Sequence, residues 1–232
     1  MASAAHSDTR IVESWHRNAA PWTAAVREGR IESRRLVTDA AVIEAVMSTA
    51  PRTVLDIGCG EGWLARALAA RGVAVTGVDA VPELVAQARA AGGGDFHTLS
   101  YEQLANGALS MCVDAAVCNF SLIGKESVEA LFAALPALLN PGGALVVQTL
   151  HPLTACGDAP YMDGWRDGSW AGFDGGFRDA APWYFRTLES WESLLRSQGF
   201  DSLQRHEPLH PASGRPASVI FLARCAGQAL RD

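Results

Sequence analysis

Val54-Leu55-Asp56-Ile57-Gly58-Cys59-Gly60-Glu61-Gly62-Trp63 is the stretch on which the reading of this chain turns. Thr53–Ile57 reads as a short apolar strand that runs straight into glycines. Trp63–Ala70, rich in alanine and leucine and closed by Gly72, reads as a helix, and Val73–Val78 as a second strand. Glycines at that turn let the backbone bend tightly and approach a ligand without a side chain in the way. They also present amide N–H groups at the start of the next helix, where negative charge is favoured. An acidic residue ~20 positions on, at the tip of the second strand, is placed to accept both hydrogen bonds of a ribose diol. Asp79 holds that place.

The spacing separates two ligand classes. A dinucleotide fingerprint requires G-x-G-x-x-G, with the third glycine allowing close helix packing; here that position is Trp63. Asp56, two residues ahead of the first glycine, would repel a pyrophosphate, yet it suits an ammonium group. The loop reads as one built for a zwitterion.

Outward from this unit the alternation continues. Pro82 opens a helix that runs to about Ala91. Phe96–Leu99 and Asp114–Phe120 read as strands, Ser127–Leu139 as a helix ending at Asn140-Pro141-Gly142-Gly143, and Ala144–Thr149 as a fully apolar strand. Strands apolar on both faces, alternating with helices, imply a parallel sheet covered on each side. Thr187–Ser197 reads as a helix with Thr187 as N-cap and Gly199 beyond its end. Phe200–Glu207 and Ala217–Arg224 then follow as strands with no helix between them, so as neighbours they pair antiparallel. The sheet should therefore carry a reversed strand at one end. The first 50 residues read as helical, with a break at Pro21 and a second pattern from Val37 to Met47. His151–Pro182 has no clear period, and an irregular stretch of that length reads as a lid over a site.

The expected organisation is a single domain with an N-terminal helical cover (1–50), a cofactor-binding core (51–150), a lid or substrate insertion (151–186) and a closing helix and strand pair (187–232). A length of 232 residues suits one α/β domain. A net charge of −6 without a basic block argues against nucleic-acid partners and for a small substrate. Five scattered cysteines imply reduced thiols rather than a disulfide framework. With no signal-like or membrane-length apolar run, the expectation is a soluble, cytoplasmic monomer or homodimer.

Val54–Gly62 resembles the first motif of class I S-adenosylmethionine-dependent methyltransferases, and Val75-Thr76-Gly77-Val78-Asp79 the second. Leu138-Leu139-Asn140-Pro141-Gly142-Gly143 is similar to the family's turn before its fifth strand. Arg186-Thr187, Gly199-Phe200 and Glu207-Pro208 resemble small-molecule members. The resemblance implies a three-layer, Rossmann-like, seven-stranded and mostly parallel sheet, its antiparallel last strand inserted beside the sixth. It assigns S-adenosylmethionine as cofactor, with S-adenosylhomocysteine as product. Asp56, Gly58, Cys59 and Gly60 would hold the methionine part, and Asp79 the ribose. Ala80 or Val81 would lie on the adenine, with Ser100 and Tyr101 at its edge, Ser100 or Glu102 filling the place of the usual acidic residue. Asn119 and Phe120 would face the amino group, and Arg34 or Arg35 the carboxylate.

The implied chemistry is methyl transfer to an O, N or C atom of a small molecule. It needs the nucleophile held in line, ~3 Å from the methyl carbon, and a base only where the acceptor arrives protonated. His151, after the fifth strand, is the candidate base. Tyr161, Trp165, Trp170, Trp183 and Tyr184 are the candidate substrate enclosure, with Trp15 and Trp22 adding a cover. No spacing of ligating side chains suggests a metal. The alternatives are an NAD(P)-dependent oxidoreductase, which Trp63 and Asp56 disfavour, and a non-catalytic protein that binds S-adenosylmethionine.

Overall fold

A computed structural model describes residues 6–173 and 176–225. The portions of the expected cover, insertion and C-terminal unit at 1–5, 174–175 and 226–232 lie outside the described residues. Strands β1 (Thr53–Ile57), β2 (Ala74–Asp79), β3 (Asp95–Thr98), β4 (Val113–Asn119) and β5 (Leu139–Thr149) come first. A short pair follows, β6 (Gly164–Arg166) with β7 (Trp183–Phe185), then β8 (Ser202–His206) and β9 (Val219–Arg224). The main sheet has seven strands in the order β3-β2-β1-β4-β5-β9-β8. β1 to β5 run parallel, and β9 pairs antiparallel with both β5 and β8. The reversed strand is thus one place in from the edge. The link from β8 is closed by an antiparallel bridge between Leu209 and Pro216, so the chain turns back as a hairpin.

Alternation along the strands feeds two apolar layers. Leu55, Ile57, Cys118 and Val147 face helices α6 (Glu126–Ala134) and α8 (Leu188–Ser197) through Leu131, Phe132 and Trp191. Val54, Val117 and Val146 face α2 (Asp39–Met47), α3 (Trp63–Ala69) and α4 (Pro82–Ala91) through Val46, Leu68 and Val85. A sheet buried on both sides accounts for strands that read as nearly continuous apolar runs.

Several local expectations change. Pro21 does not break the first helix: α1 runs Asp8–Arg27 with Pro21 inside. A proline inside a helix, through the lost hydrogen bond and the ring's clash, costs about 3 kcal/mol, and α1 offsets it by packing on α4 and bonding the insertion. The second helical pattern divides into a π-helical turn, Arg34–Thr38, and α2, whose Val42 and Val46 belong to the core rather than to a cover. Pro136 ends α6 early, leaving a 3₁₀ turn over Leu135–Leu138. β5 starts at Leu139, which pairs with Val113, so the Asn140–Gly143 turn lies within that strand. The insertion carries a short helix, α7 (Pro152–Ala155), and the β6–β7 ribbon, neither of which its composition reveals. A further short helix, α5 (Tyr101–Ala105), was not read in the sequence; Ser100 and Gln103 form its capping box. No helix among the described residues is long and apolar enough to cross a membrane.

Candidate cofactor and acceptor site

The carboxyl ends of β1, β2, β4 and β5 converge where the glycine loop lies. Gly58 has φ +74°, and a Cβ there would meet the Ser121 side chain and come within 3.0 Å of the Tyr101 hydroxyl. Ser121 Oγ donates to the Ile57 carbonyl at 2.7 Å, and Tyr101 Oη to the Ser121 carbonyl at 2.9 Å. Gly62, at φ +82°, supplies the close packing that a dinucleotide loop assigns to its last glycine: a Cβ would sit 2.9 Å from the Ala88 methyl of α4.

The expectation that the loop presents free amides needs correction. Gly58 and Cys59 both donate to the Val78 carbonyl, at 2.8 and 3.0 Å, and Gly62 donates to the Cys59 carbonyl at 3.0 Å. Gly60 donates to Asp79 Oδ2 at 2.9 Å. The loop is therefore tied to the end of β2 and is no nest for a phosphate. Cys59 turns its thiol into the core beneath Gly77, where burial pushes its pKa up, so only its backbone borders the loop.

Asp79 also accepts from Val81 N–H at 2.9 Å. Burial raises its carboxyl above the usual range, and the amides of Val81 and Gly60 oppose that rise. Two of roughly four lone-pair sites remain for hydroxyl donors. Asp56 is buried, and desolvation followed by the charge of Asp79 pushes its pKa up to about 7. Its Oδ2 has no hydrogen-bond partner among the described residues. Asn119 Oδ1, Gln148 Oε1, Thr38 Oγ1 and both ring nitrogens of His151 share that condition. Asp56 pairs with Val117, and Asn119 with Gln148, so the period of two puts all three polar residues on the α2 side of the sheet. Unsatisfied buried polar atoms are individually costly; a row of them along the strand ends marks a place built for a ligand that brings donors.

Phe120, directly after β4, has φ +52°, a strained conformation for a residue with a side chain, and its N–H donates to the Gln148 carbonyl at 2.8 Å. Such strain, of order 1–3 kcal/mol, concentrates at functional sites. Arg34 is buried in the π-helical turn; its Nε donates to Asp39 at 2.9 Å and its guanidinium stacks 4.5 Å from the Trp63 ring at the loop's exit. Arg35 is exposed and lies beside Gly29. Ala80 is half-buried between Asp79 and the buried Val81, and Ser100 is committed to capping α5 and to Glu102 Oε2 at 2.9 Å.

The loop is roofed by α1 and the insertion. Trp22 Nε1 lies 3.8 Å from where a Cβ on Gly60 would stand. Trp15 packs 5.1 Å from Trp22 and 5.7 Å from Trp170, and Phe173 lies 6.3 Å from Trp22. Asn18 clamps the roof, donating to the Arg178 carbonyl at 2.8 Å and accepting from its N–H at 3.0 Å. Glu61, wholly buried, ties α1 to α3 through Arg27 at 2.8 Å and Arg66 at 2.7 Å. The expected aromatic enclosure divides in two. Trp170 joins the roof, whereas Tyr161, Trp165, Trp183 and Tyr184 pack along the β6–β7 ribbon with Phe185 and the Arg186 guanidinium. Tyr161 Oη accepts from Leu188 N–H at 2.9 Å, a fold-holding contact.

His151 is buried at the end of β5, its Nε2 3.4 Å from Glu207 Oε1. Gln148 donates through Nε2 to Ser218 Oγ at 2.8 Å. Gln148, Ser218 and Thr38 were missed in the sequence; a glutamine inside the apolar run Ala144–Thr149 was the available signal. Among the described residues no three His, Cys, Asp or Glu side chains gather where they could hold a metal ion.

A family model described as "Methyltransferase domain" matches residues 30–205. The chain is 36% identical over 114 residues to the ubiquinone biosynthesis O-methyltransferase of Xanthomonas oryzae pv. oryzae, covering 47% of each chain. It is 39% identical over 103 residues to the enzyme of that name from Xylella fastidiosa, covering 42% of each. The aligned stretch spans about half the length of these curated relatives. Among solved structures, the fold matches the 1,6-didemethyltoxoflavin-N1-methyltransferase of Burkholderia thailandensis with a TM-score of 0.65 at 17% identity, covering 93% of this chain and 90% of that one. It also matches an S-adenosylmethionine-dependent methyltransferase of Mesorhizobium loti with a TM-score of 0.60 at 24% identity, covering 79% and 96%.

Proposed function

Since the chain belongs to the methyltransferase-domain family, we propose that it transfers a methyl group from S-adenosylmethionine to an O, N or C atom of a small molecule by in-line displacement. The observation that carries this reading is the pair of buried, partnerless acceptor oxygens, Asp56 Oδ2 and Asn119 Oδ1, beside the Gly58–Gly60 bend. They suit a ligand whose ammonium group supplies the missing donors. Asp79 takes the ribose hydroxyls, Ala80 and Val81 border the adenine with Tyr101 nearby, and Phe120 closes the amino-acid end. Arg34, which lies at the loop, is the better candidate than Arg35 for the cofactor carboxylate.

The cofactor supplies an activated methyl on a sulfonium. The chain's task is then to hold the acceptor in line, exclude water beneath Trp15, Trp22 and Trp170, and receive a proton at His151 where the acceptor carries one. We read the partner as a small methyl acceptor rather than nucleic acid, because a net charge of −6 offers no concentrated basic face. We place the protein in the cytoplasm as a monomer or homodimer.

Incubation with methyl-labelled S-adenosylmethionine and a metabolite panel tests the proposal. Label transferred to a small molecule is the expected result. Binding without transfer to any acceptor would favour a non-catalytic role, and binding of NAD in place of S-adenosylmethionine would overturn the proposal.

A further inference from the structure

Two polar side chains on the α2 side of the sheet are buried without a use in the reading given so far. Gln148 donates through Nε2 to Ser218 Oγ at 2.8 Å, which leaves Oε1 turned away from β9 and without a partner among the described residues. Thr38 is buried with its Oγ1 in the same condition. Asn119 and Gln148 are direct neighbours across β4 and β5, on the face that carries Asp56. α2 packs on that face across β4, β5 and β9, and a short link carries its last turn into the start of β1. Thr38, immediately before its first turn, therefore lies at the carboxyl ends of the strands.

The π-helical turn explains the free hydroxyl. Within a regular helix a threonine can bond back to the carbonyl four residues earlier. Thr23 does so in α1, donating to the Ala19 carbonyl at 2.8 Å. At Arg34–Thr38 the wider turn gives the Arg34 carbonyl to the N–H of Asp39, and Thr38 makes no such bond. Isolated π-turns are frequent at functional sites. Arg34 and Thr38, four positions apart, share one side of the turn, and Arg34 already reaches the exit of the glycine loop at Trp63.

We infer that Gln148 and Thr38 complete the pocket for the amino-acid end of the cofactor and make it selective for an intact α-amino acid. The inference rests on the reading of the cofactor site given above. An ammonium group carries three N–H donors, and Asp56 Oδ2, Asn119 Oδ1 and Gln148 Oε1 offer one acceptor each from β1, β4 and β5. Ser218 is a positioning residue that holds the Gln148 amide by its nitrogen. Thr38 donates its hydroxyl to the carboxylate beside Arg34, part of whose guanidinium is spent on Asp39. A nucleoside lacking either charged group leaves buried polar atoms stranded, and a site built on hydrogen bonds rejects such analogues.

The test is calorimetry of the full chain and its variants with three ligands: S-adenosylhomocysteine, its analogue lacking the α-amino group and its analogue lacking the carboxylate. Gln148→Met should weaken S-adenosylhomocysteine and the decarboxylated analogue about 10- to 100-fold, and leave the deaminated one within about twofold. Thr38→Val should weaken S-adenosylhomocysteine and the deaminated analogue by a similar factor, and spare the decarboxylated one. Ser218→Ala should repeat the pattern of Gln148→Met at reduced size, and it replaces that variant if the methionine does not fold. Equal loss across the three ligands, an exchange of the two patterns, or undiminished binding of S-adenosylhomocysteine by the variants would overturn the inference. Failure of the wild-type chain to bind S-adenosylhomocysteine would overturn the cofactor reading instead.

Discussion

Asp114 and Asp56 stand on neighbouring strands at opposite ends of the sheet, in opposite electrostatic conditions. Asp114, near the start of β4, accepts from Arg52 N–H at 2.9 Å, Thr53 N–H at 3.0 Å and Asn140 Nδ2 at 2.9 Å. These bonds, that of Asn140 foremost, hold its pKa down to about 2. Asp56, near the end of β1, is buried with a bare oxygen and is raised to about 7. One end of the sheet has its polar groups matched and the other leaves them open. The first arrangement serves the fold, and the second sacrifices stability, as the proposed ligand site requires.

Damage at the two ends should therefore have different symptoms. The largest effect is expected from replacing residues 168–181 with a short turn, which the pairing of Arg166 with Trp183 permits. Removing Trp170 and Phe173 from the roof should cut turnover by about 100-fold or more, while changing S-adenosylhomocysteine affinity much less in calorimetry; equal losses would make the roof part of the cofactor site alone. Next, Asp79→Ala should weaken S-adenosylmethionine binding by about 1–3 kcal/mol, because it removes the proposed ribose acceptor and frees the Gly60 amide. Unaltered affinity would remove Asp79 from the site.

At the opposite end, Asp114→Ala should lower unfolding stability by about 1–2 kcal/mol in urea titration and leave cofactor affinity alone. Because the folded pKa lies below the unfolded value, this contribution is present above about pH 4 and disappears as pH falls through about 2. Asp56→Asn should do the reverse. With the folded pKa raised, the wild-type carboxylate costs nothing below about pH 4, and its cost grows until pH exceeds about 7. The variant should thus be more stable than wild type by about 1 kcal/mol at pH 8, with no gain at pH 4, while binding cofactor more weakly. A variant less stable than wild type at pH 8 would erase the contrast.

The two ends were also unequally legible in the sequence. The glycine bend, Asp79 and the strand–helix alternation could be read because each rests on a local backbone demand: a positive φ at Gly58 and Gly62, a carboxylate one crossover later, apolar runs buried on both faces. Pro21 misled because its local cost is offset by partners 150 or more residues away, Arg178 and Asp179 among them. The aromatic enclosure was read as one group because composition gives no spacing in three dimensions; β6–β7 pairing draws Trp165 and Tyr184 away from Trp170. Gln148 and Ser218 lie 70 residues apart, so nothing in their sequence spacing announces that they meet.

We propose that Asp56 and Asn119 receive the ammonium group of the cofactor. The most direct test is calorimetric titration of the wild-type chain with S-adenosylhomocysteine and with the analogue lacking only the α-amino group. The analogue should bind about 10- to 100-fold more weakly; equal affinities would contradict the roles given to Asp56 and Asn119.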